Sequence, residues 1–173
     1  MKKHIKVWDY AGRIAEELEK GVLLTTKSGD KVNSMTIGWG LLGIQWAKPV
    51  FVVLVRESRH TKKMLEENPE FTINIPLGAI DKSILGVCGT KSGRDMDKIA
   101  ALGLTLEEGE TVSVPAIKEL PLTLECKVIY KQDQDPKAIA PEYDARFYAK
   151  GTANEGDYHT AYYGEITAAY IVE

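Results

Sequence analysis

Short runs of apolar and β-branched residues, separated by turn residues, dominate the first half of the chain, and this pattern is typical of antiparallel strands. Residues 21–26 and 31–40 are two such runs, and the turn-like residues 27–30 between them predict a hairpin. Residues 49–56 form an almost continuous Val/Phe/Leu run, which predicts a strand buried on both faces. Residues 70–76 alternate Phe and Ile with Thr and Asn, which predicts a strand with one solvent-exposed face.

The pattern changes to helical spacing in three places. In residues 59–68, Met64 and Leu65 lie among Lys and Glu, so we expect a short amphipathic helix. Residues 81–87 and 92–102 are two further predicted helices, and Gly103 is expected to end the second.

Strand pattern returns in four later segments, residues 111–114, 122–130, 146–150 and 162–172. The polar residues 132–141 contain two prolines and predict an exposed loop. Roughly six to eight strands with two or three short helices favour an antiparallel barrel over a doubly wound sheet, so the predicted class is mainly β. No internal repeat or Pro/Ser-rich linker divides the chain, so residues 1–173 are predicted to form a single domain.

Charge and cysteine content narrow the partners and the compartment. The 22 Lys and Arg residues nearly balance 25 Asp and Glu, a net charge of -3, which gives no electrostatic reason to expect nucleic acid or an anionic membrane as partner. The longest apolar run, residues 49–55, is shorter than the roughly 20 residues of a membrane-spanning helix, and no apolar signal core follows the basic N-terminus. Cys88 and Cys126 are too few for a disulfide framework, so we expect a reducing, cytoplasmic location.

Two glycine-rich motifs resemble nucleotide-binding loops but lack the required context. Residues 38–43 match G-x-G-x-x-G, yet another predicted strand follows instead of the helix that would hold a pyrophosphate. Residues 86–93 resemble a P-loop, but Lys91 follows Thr90 rather than glycine. We therefore expect neither a Rossmann site nor nucleotide hydrolysis.

The three histidines, His4, His60 and His159, do not cluster with Cys or carboxylates at metal-ligand spacing, so no metal site is predicted. A nucleophilic pair of Cys88 and His159 stays open, although a free cysteine is usually a small buried apolar residue.

Residues 56–61 join the valine-rich strand to the predicted amphipathic helix. Within these six residues lie two guanidinium groups, Arg56 and Arg59, and two hydroxyl groups, Ser58 and Thr61. Arginine supplies forked donors, hydroxyls donate, and a helix N-terminus adds backbone N–H groups, so the segment is suited to hold a phosphate. The alternative is an ordinary helix start with solvated arginines.

Several short motifs follow one another in a recognisable order. They are Val-Leu-Leu-Thr-Thr (22–26), Asn33-Ser34-Met35-Thr36 with Gly-Trp-Gly (38–40), Lys-Pro-Val opening a Val-rich strand (48–55), Ser58-Arg59-His60-Thr61, Phe-Thr-Ile-Asn-Ile-Pro (71–76), Ser-Gly-x-x-x-x-Lys (92–98), and Gly-Asp-Tyr-His (156–159) with Gly-Glu (164–165). Together they resemble the flavin reductase-like, FMN-binding split-barrel family, which includes the flavoredoxins. Two features depart from the family: Tyr158 separates Asp157 from His159, and residues 132–150 are longer than the usual connection.

The resemblance implies a Greek-key split β-barrel with a few short helices, FMN as cofactor, and a homodimer with the flavin near its interface. It implies FMN contacts from three groups of residues, largely through backbone in the first: Asn33, Ser34, Met35 and Thr36; Arg56, Ser58, Arg59 and Thr61 around the phosphate; and Ser92, Gly93 and Lys98 from the helical segment. Lys98 could lie near the ring and raise the flavin potential, or be a solvated helix lysine. Trp39 could cover the ring or fill the barrel. A second copy would also cover apolar residues near the N-terminus, namely Trp8, Tyr10 and Ile14.

The implied function is an NAD(P)H-dependent flavin reductase. The alternative is a flavoredoxin-type carrier that exchanges electrons with a protein partner, and a third reading is a non-redox split barrel that binds haem or no cofactor. His159 is the one residue expected to act in the reaction, by hydrogen-bonding a flavin carbonyl or by orienting a nicotinamide.

Overall fold

The computed structural model describes all 173 residues, which form ten strands and five α-helices. The strands are β1 (Lys2–His4), β2 (Val22–Ser28), β3 (Lys31–Ile37), β4 (Gly40–Gln45), β5 (Lys48–Arg56), β6 (Glu70–Ile75), β7 (Leu106–Glu107), β8 (Ala116–Ile117), β9 (Leu122–Asp133) and β10 (His159–Val172). The helices are α1 (Ala11–Lys20), α2 (His60–Glu67), α3 (Lys82–Thr90), α4 (Lys98–Leu102) and α5 (Pro141–Phe147). None of these helices has both the length and the apolar composition needed to cross a bilayer.

One antiparallel sheet carries eight of the strands in the order β3-β2-β6-β9-β10-β5-β4, with β1 paired to β10. The strands β3 and β4 follow one another in the chain but lie at opposite ends of this order, so the sheet does not close. Six of its strands, from β2 to β10, contribute to a single apolar cluster, which means that the open sheet curls around one core. The mainly β, split-barrel prediction is confirmed.

The curling needs close approach between strands, and Gly164 in β10 provides it. A Cβ atom at this position would lie 2.5 Å from Cζ of Phe71 and 2.8 Å from Cβ of Cys126, distances at which atoms overlap. The register between β9 and β10 shifts beside Gly164, which is the local irregularity expected where a sheet bends.

The predicted hairpin, the strand at residues 49–56 and the helix at residues 59–68 are confirmed within two residues at each end, except that β3 stops at Ile37. The solvent-exposed face predicted for residues 70–76 is wrong. Thr72 and Asn74 are fully buried, because residues 115–117 cover them: Oγ1 of Thr72 donates to the carbonyl of Pro115 at 2.8 Å, and the N–H of Ile117 donates to Oδ1 of Asn74 at 2.9 Å.

Three further local predictions are corrected. Residues 111–114 form bends instead of a strand, since carboxylates distant in sequence take up their N–H groups: Glu125 binds Thr111 and Glu70 binds Ser113. Residues 146–150 form no strand, because they contain the end of α5 and the turn after it. The helix predicted from residue 92 begins only at Lys98, with Asp97 as its N-cap, although Gly103 ends it in the left-handed conformation as expected.

Helix α1 was not predicted. Its residue Ile14 is only 1% exposed and belongs to the core, whereas Trp8 in the preceding 3₁₀ turn remains 48% exposed. The expected N-terminal apolar surface is therefore reduced chiefly to Trp8.

Candidate active site

A groove lies where the sheet stays open, between the edge strand β3 and the facing ends of β5 and β10. It consists of two cavities of about 320 and 190 Å³ that share Met35 and Arg59. We call the larger one the cationic cavity; it is bordered by β3, the start of α2, the end of α3 and the loop to Lys98. We call the smaller one the Trp39 cavity; it is bordered by residues 35–39, Leu54, Arg56, Arg59 and His159.

The cationic cavity collects positive charge that nothing in the chain neutralises. Its lining includes Arg59, Lys91, Arg94 and Lys98 and no carboxylate, and none of these four cations forms a salt bridge. In a chain of net charge -3, such a concentration creates a local field that attracts an anion.

Lys98 is the most unusual of these cations. It is 3% exposed, and its ammonium group donates only to backbone carbonyls, those of Lys91 at 3.2 Å and Cys88 at 3.4 Å. Burial lowers the pKa of Lys98, with the neighbouring Arg59 adding to the effect. A buried ammonium without a counter-charge is costly, so an anion in the cavity would stabilise the charged form.

Helix α2 points an open N-terminus at the same cavity. Its N-cap is Arg59, in an extended conformation, and no side chain caps the first turn. The first N–H groups of a helix have no intrahelical partners and carry partial positive charge, which suits an anion. Ser58, just before the cap, already binds elsewhere: its Oγ and its N–H donate to the carboxylate of Asp157, at 2.6 and 2.8 Å.

The loop Ser92–Arg94 packs so closely on β3 that residue 93 must be glycine. A Cβ atom there would overlap Oδ1 of Asn33 and lie 3.0 Å from Cδ2 of His60. Asn33 cannot simply turn away, since its Nδ2 donates to Oγ1 of the buried Thr61 at 3.1 Å. These contacts hold β3, α2 and the loop together around the cavity.

Strand alternation divides the four residues predicted on β3. Asn33 and Met35 border the cationic cavity. Ser34 points to the other face, where it is fully buried and shares a 2.6 Å hydrogen bond with Thr25, so its side chain takes no part in the groove. Thr36 borders the Trp39 cavity, but its hydroxyl donates to the carbonyl of Leu85 at 2.7 Å.

Arg56 and His159 are opposite each other in the β5–β10 register, so their side chains share the face that borders the Trp39 cavity. The guanidinium of Arg56 donates to the carbonyl of Asp157 at 2.8 Å and lies 5.1 Å from the ring centre of Tyr148. Arg56 therefore lies beside the Trp39 cavity and does not border the cationic one, where sequence reasoning grouped it with Arg59. Lys98, which the resemblance suggested could lie near the flavin ring, borders only the cationic cavity.

Aromatic side chains surround His159. The ring centre of Trp39 lies 5.2 Å from that of His159 and 5.0 Å from that of Phe147, and the hydroxyl of Tyr148 lies 2.7 Å from Nδ1 of His159. Burial, with Arg56 adding to it, lowers the pKa of His159 to about 4, so the imidazole is neutral near pH 7.

Sequence reasoning did not identify several of these residues. Phe147, Tyr148 and Gln134, whose side-chain oxygen accepts from the Tyr148 hydroxyl at 2.9 Å, lie in the long connection between β9 and β10. Of the residues in this connection that approach His159, only Asp157 belongs to a recognised motif. The Cys88–His159 pair is not formed: the two residues border different cavities, His159 binds Tyr148, and burial raises the pKa of the Cys88 thiol.

Comparison with known proteins places the whole groove inside one matched region. The model of the family described as flavin reductase like domain matches residues 18–173. A protein of Archaeoglobus fulgidus, described as uncharacterized, is 34% identical over 100 residues, which are 58% of this chain and 55% of that protein, so the match spans about half of its length.

Two solved flavoredoxins have the same fold. The flavoredoxin from Methanosarcina acetivorans is 27% identical, with a TM-score of 0.65 over 88% of this chain and 68% of that one. The flavoredoxin of Desulfovibrio vulgaris (Miyazaki F) is 25% identical, with a TM-score of 0.65 over 88% of this chain and 69% of that one.

Proposed function

Because the chain belongs to the flavin reductase-like family, we propose that it is an oxidoreductase that binds FMN along the groove and takes electrons from NAD(P)H. The observation that carries this proposal is the cationic cavity: four cations with no carboxylate partner, at the open N-terminus of α2. A phosphate monoester dianion is the group that this arrangement fits best.

The phosphate end is proposed to lie in the cationic cavity. Arg59 and Arg94 supply forked guanidinium donors, Lys98 supplies a buried ammonium, and Ser92 and the first turn of α2 add neutral donors. The hydroxyl of Ser58 remains near the cavity as an acceptor, since its proton is given to Asp157.

The ring is proposed to lie between β3 and Trp39. Strand β3 pairs only with β2, so part of its backbone N–H and C=O groups face away from the sheet, as in any edge strand. The polar edge of an isoalloxazine ring carries both donors and acceptors, which a strand edge can meet without long side chains. Met35 and Trp39 border the same space and offer apolar surface to the rings.

FMN, when bound, would supply the redox chemistry, accepting a hydride from the reduced nicotinamide and passing its electrons on. The chain's own contribution is to position the two rings and to exclude water from between them. His159, 6% exposed and beside Trp39, is proposed to orient the nicotinamide. No residue needs to act as a general acid or base.

A flavoredoxin-type electron carrier is the second candidate. It is favoured by the identities of 25 and 27% to two flavoredoxins. In that case a protein partner, and not a nicotinamide nucleotide, would exchange electrons with the bound flavin.

We also propose a homodimer. Strand β4 ends the sheet without a partner and, with the turn after it, exposes three large apolar residues: Leu41 is 62%, Ile44 71% and Trp46 66% exposed. An unpaired strand edge with such side chains is a surface that a second copy of the chain would cover.

The test begins with the purified protein and its absorption spectrum. We expect bands of bound flavin, or their appearance after FMN is added and the excess is removed; a colourless protein that takes up no FMN would refute the proposal. Anaerobic addition of NADH or NADPH should then bleach the flavin band. A flavin-loaded protein that neither nucleotide bleaches would be assigned to the carrier function.

A further inference from the structure

We propose that Gln134 and Tyr148 are positioning residues for His159: they hold its imidazole in the tautomer protonated at Nδ1, so that Nε2 is offered to the Trp39 cavity as a hydrogen-bond acceptor. The tautomer follows from hydrogen bonds within the chain, whereas the ligand assigned to Nε2 rests on the proposed function.

The orientation of the Gln134 amide is the first step. The backbone N–H of His159 donates to the Gln134 side chain at 3.0 Å, and the backbone N–H of Gln134 donates to the carbonyl of His159 at 3.0 Å. Since a backbone N–H can only donate, the side-chain atom that faces it must be the oxygen Oε1 and not the NH₂ group.

The proton of Tyr148 is the second step. The hydroxyl of Tyr148 lies 2.9 Å from the same Oε1, which is an acceptor, so the hydroxyl proton points there. Burial raises the pKa of Tyr148, which keeps the phenol protonated. A hydroxyl has a single proton, so towards Nδ1 of His159, 2.7 Å away, the Tyr148 oxygen can only accept. Nδ1 must therefore carry a hydrogen.

The state of Nε2 follows from the first two steps. A neutral imidazole protonated at Nδ1 has a lone pair at Nε2. Nε2 makes no hydrogen bond within the chain, is not among the fully buried unpaired atoms, and belongs to a residue that borders the Trp39 cavity. The charged groups around the ring are Arg56, Arg59 and Asp157, and the two cations oppose protonation.

Because Nε2 of His159 is an acceptor, it can hydrogen-bond only with a ligand group that donates. Of the two partners that the family resemblance suggests for His159, a flavin carbonyl also accepts and is thereby excluded. The NH₂ of a nicotinamide carboxamide can donate to Nε2, so His159 is assigned to the hydride donor and not to the flavin carbonyls.

Nitrogen-15 NMR of the histidine rings in protein labelled at histidine tests the tautomer without any flavin. The His159 signals are identified by their absence in His159→Asn. In the unchanged protein we expect protonation at Nδ1. In Gln134→Ala the Tyr148 proton is free to turn to Nδ1, so the imidazole proton should move to Nε2. Gln134→Glu offers a carboxylate oxygen to both donors and should keep the original tautomer.

Protonation at Nε2 in the unchanged protein, or the same tautomer in Gln134→Ala, would overturn the proposal. Steady-state kinetics of the FMN-loaded protein test the use of the acceptor. In Gln134→Ala the carboxamide must rotate to offer its carbonyl to Nε2–H, so KM for the nicotinamide nucleotide should rise about tenfold with little change in kcat or FMN affinity, and Gln134→Glu should restore it. A flipped tautomer with unchanged KM would refute the assignment to the hydride donor. Absence of flavin binding would instead refute the proposed function and leave the NMR result standing.

Discussion

The two cavities of the groove are built in opposite ways. The cationic cavity depends largely on two contiguous segments, residues 58–61 and 88–94, whose cations and donors are close together along the chain. The Trp39 cavity is assembled from β3, β5 and β10, and its His159 is held by a connection of some 25 residues between β9 and β10. The proposed anion site is thus formed mainly by residues that are close in sequence, whereas the proposed nicotinamide site depends on contacts between distant parts of the chain.

The largest effect is expected for Gly93→Ala, because Gly93 packs against Asn33 at the border of the cationic cavity. In Gly93→Ala the new Cβ would overlap the Asn33 side chain, so either Asn33 gives up its bond to Thr61 or the loop moves away from β3. Loss of two charge-assisted bonds to the phosphate, worth about 1.5–3 kcal/mol each, should lower FMN affinity by at least about 150-fold, with a loss of about 1–3 kcal/mol in stability. Fluorescence titration with FMN and thermal unfolding measure the two quantities.

Gly86→Ala is the matched control for this variant. Gly86 is an exposed glycine of α3, and a Cβ there meets nothing within 4 Å. Alanine favours a helix over glycine by roughly 0.5–1 kcal/mol, so this variant should be as stable as the original or more so, with unchanged FMN affinity. Equal affinities in the two variants would mean that the contact between Gly93 and Asn33 does not build the site.

The difference between the cavities also explains what the sequence predicts. The grouping of Ser58, Arg59 and Thr61 around one cavity was predictable because these residues are neighbours along the chain. The position of Arg56 beside the other cavity was not, because it depends on the pairing of β5 with β10. The roles of Gln134 and Tyr148 were not, since they arise from contacts across 11 to 25 positions within a connection that has no regular pattern. The missed helix α1 is a different case: Ile14 and Leu18 have helical spacing among charged residues, and this signal was present in the sequence.

The second largest effect is expected for Arg59→Ala, which should weaken FMN binding without changing the stability of the flavin-free protein. Arg59 is exposed and its side chain makes no hydrogen bond or salt bridge within the chain, yet it borders both cavities. Arg59→Ala should remove a charge-assisted bond worth about 1.5–3 kcal/mol, a loss of about 10- to 150-fold in FMN affinity, and leave the Tm of the flavin-free protein unchanged. Lys63→Ala is the control, because Lys63 lies on the same helix but borders neither cavity. Similar FMN affinities in these two variants would remove the phosphate assignment.

The smallest effect is expected for Lys98→Met, which should raise the stability of the flavin-free protein but weaken FMN binding. Lys98 is buried without a carboxylate partner, so Lys98→Met, which keeps its length, should stabilise the flavin-free protein by about 1 kcal/mol while weakening FMN binding. Because the pKa of Lys98 is lowered in the folded state, the unfolded chain binds more protons between that lowered pKa and 10.5, and the stability of the original protein should rise with pH in this window. The variant should lose that slope. Urea unfolding at several alkaline pH values measures this slope. An unchanged slope in Lys98→Met would mean that Lys98 finds a counter-charge in solution. In that case the cationic cavity no longer requires an anion from outside the chain.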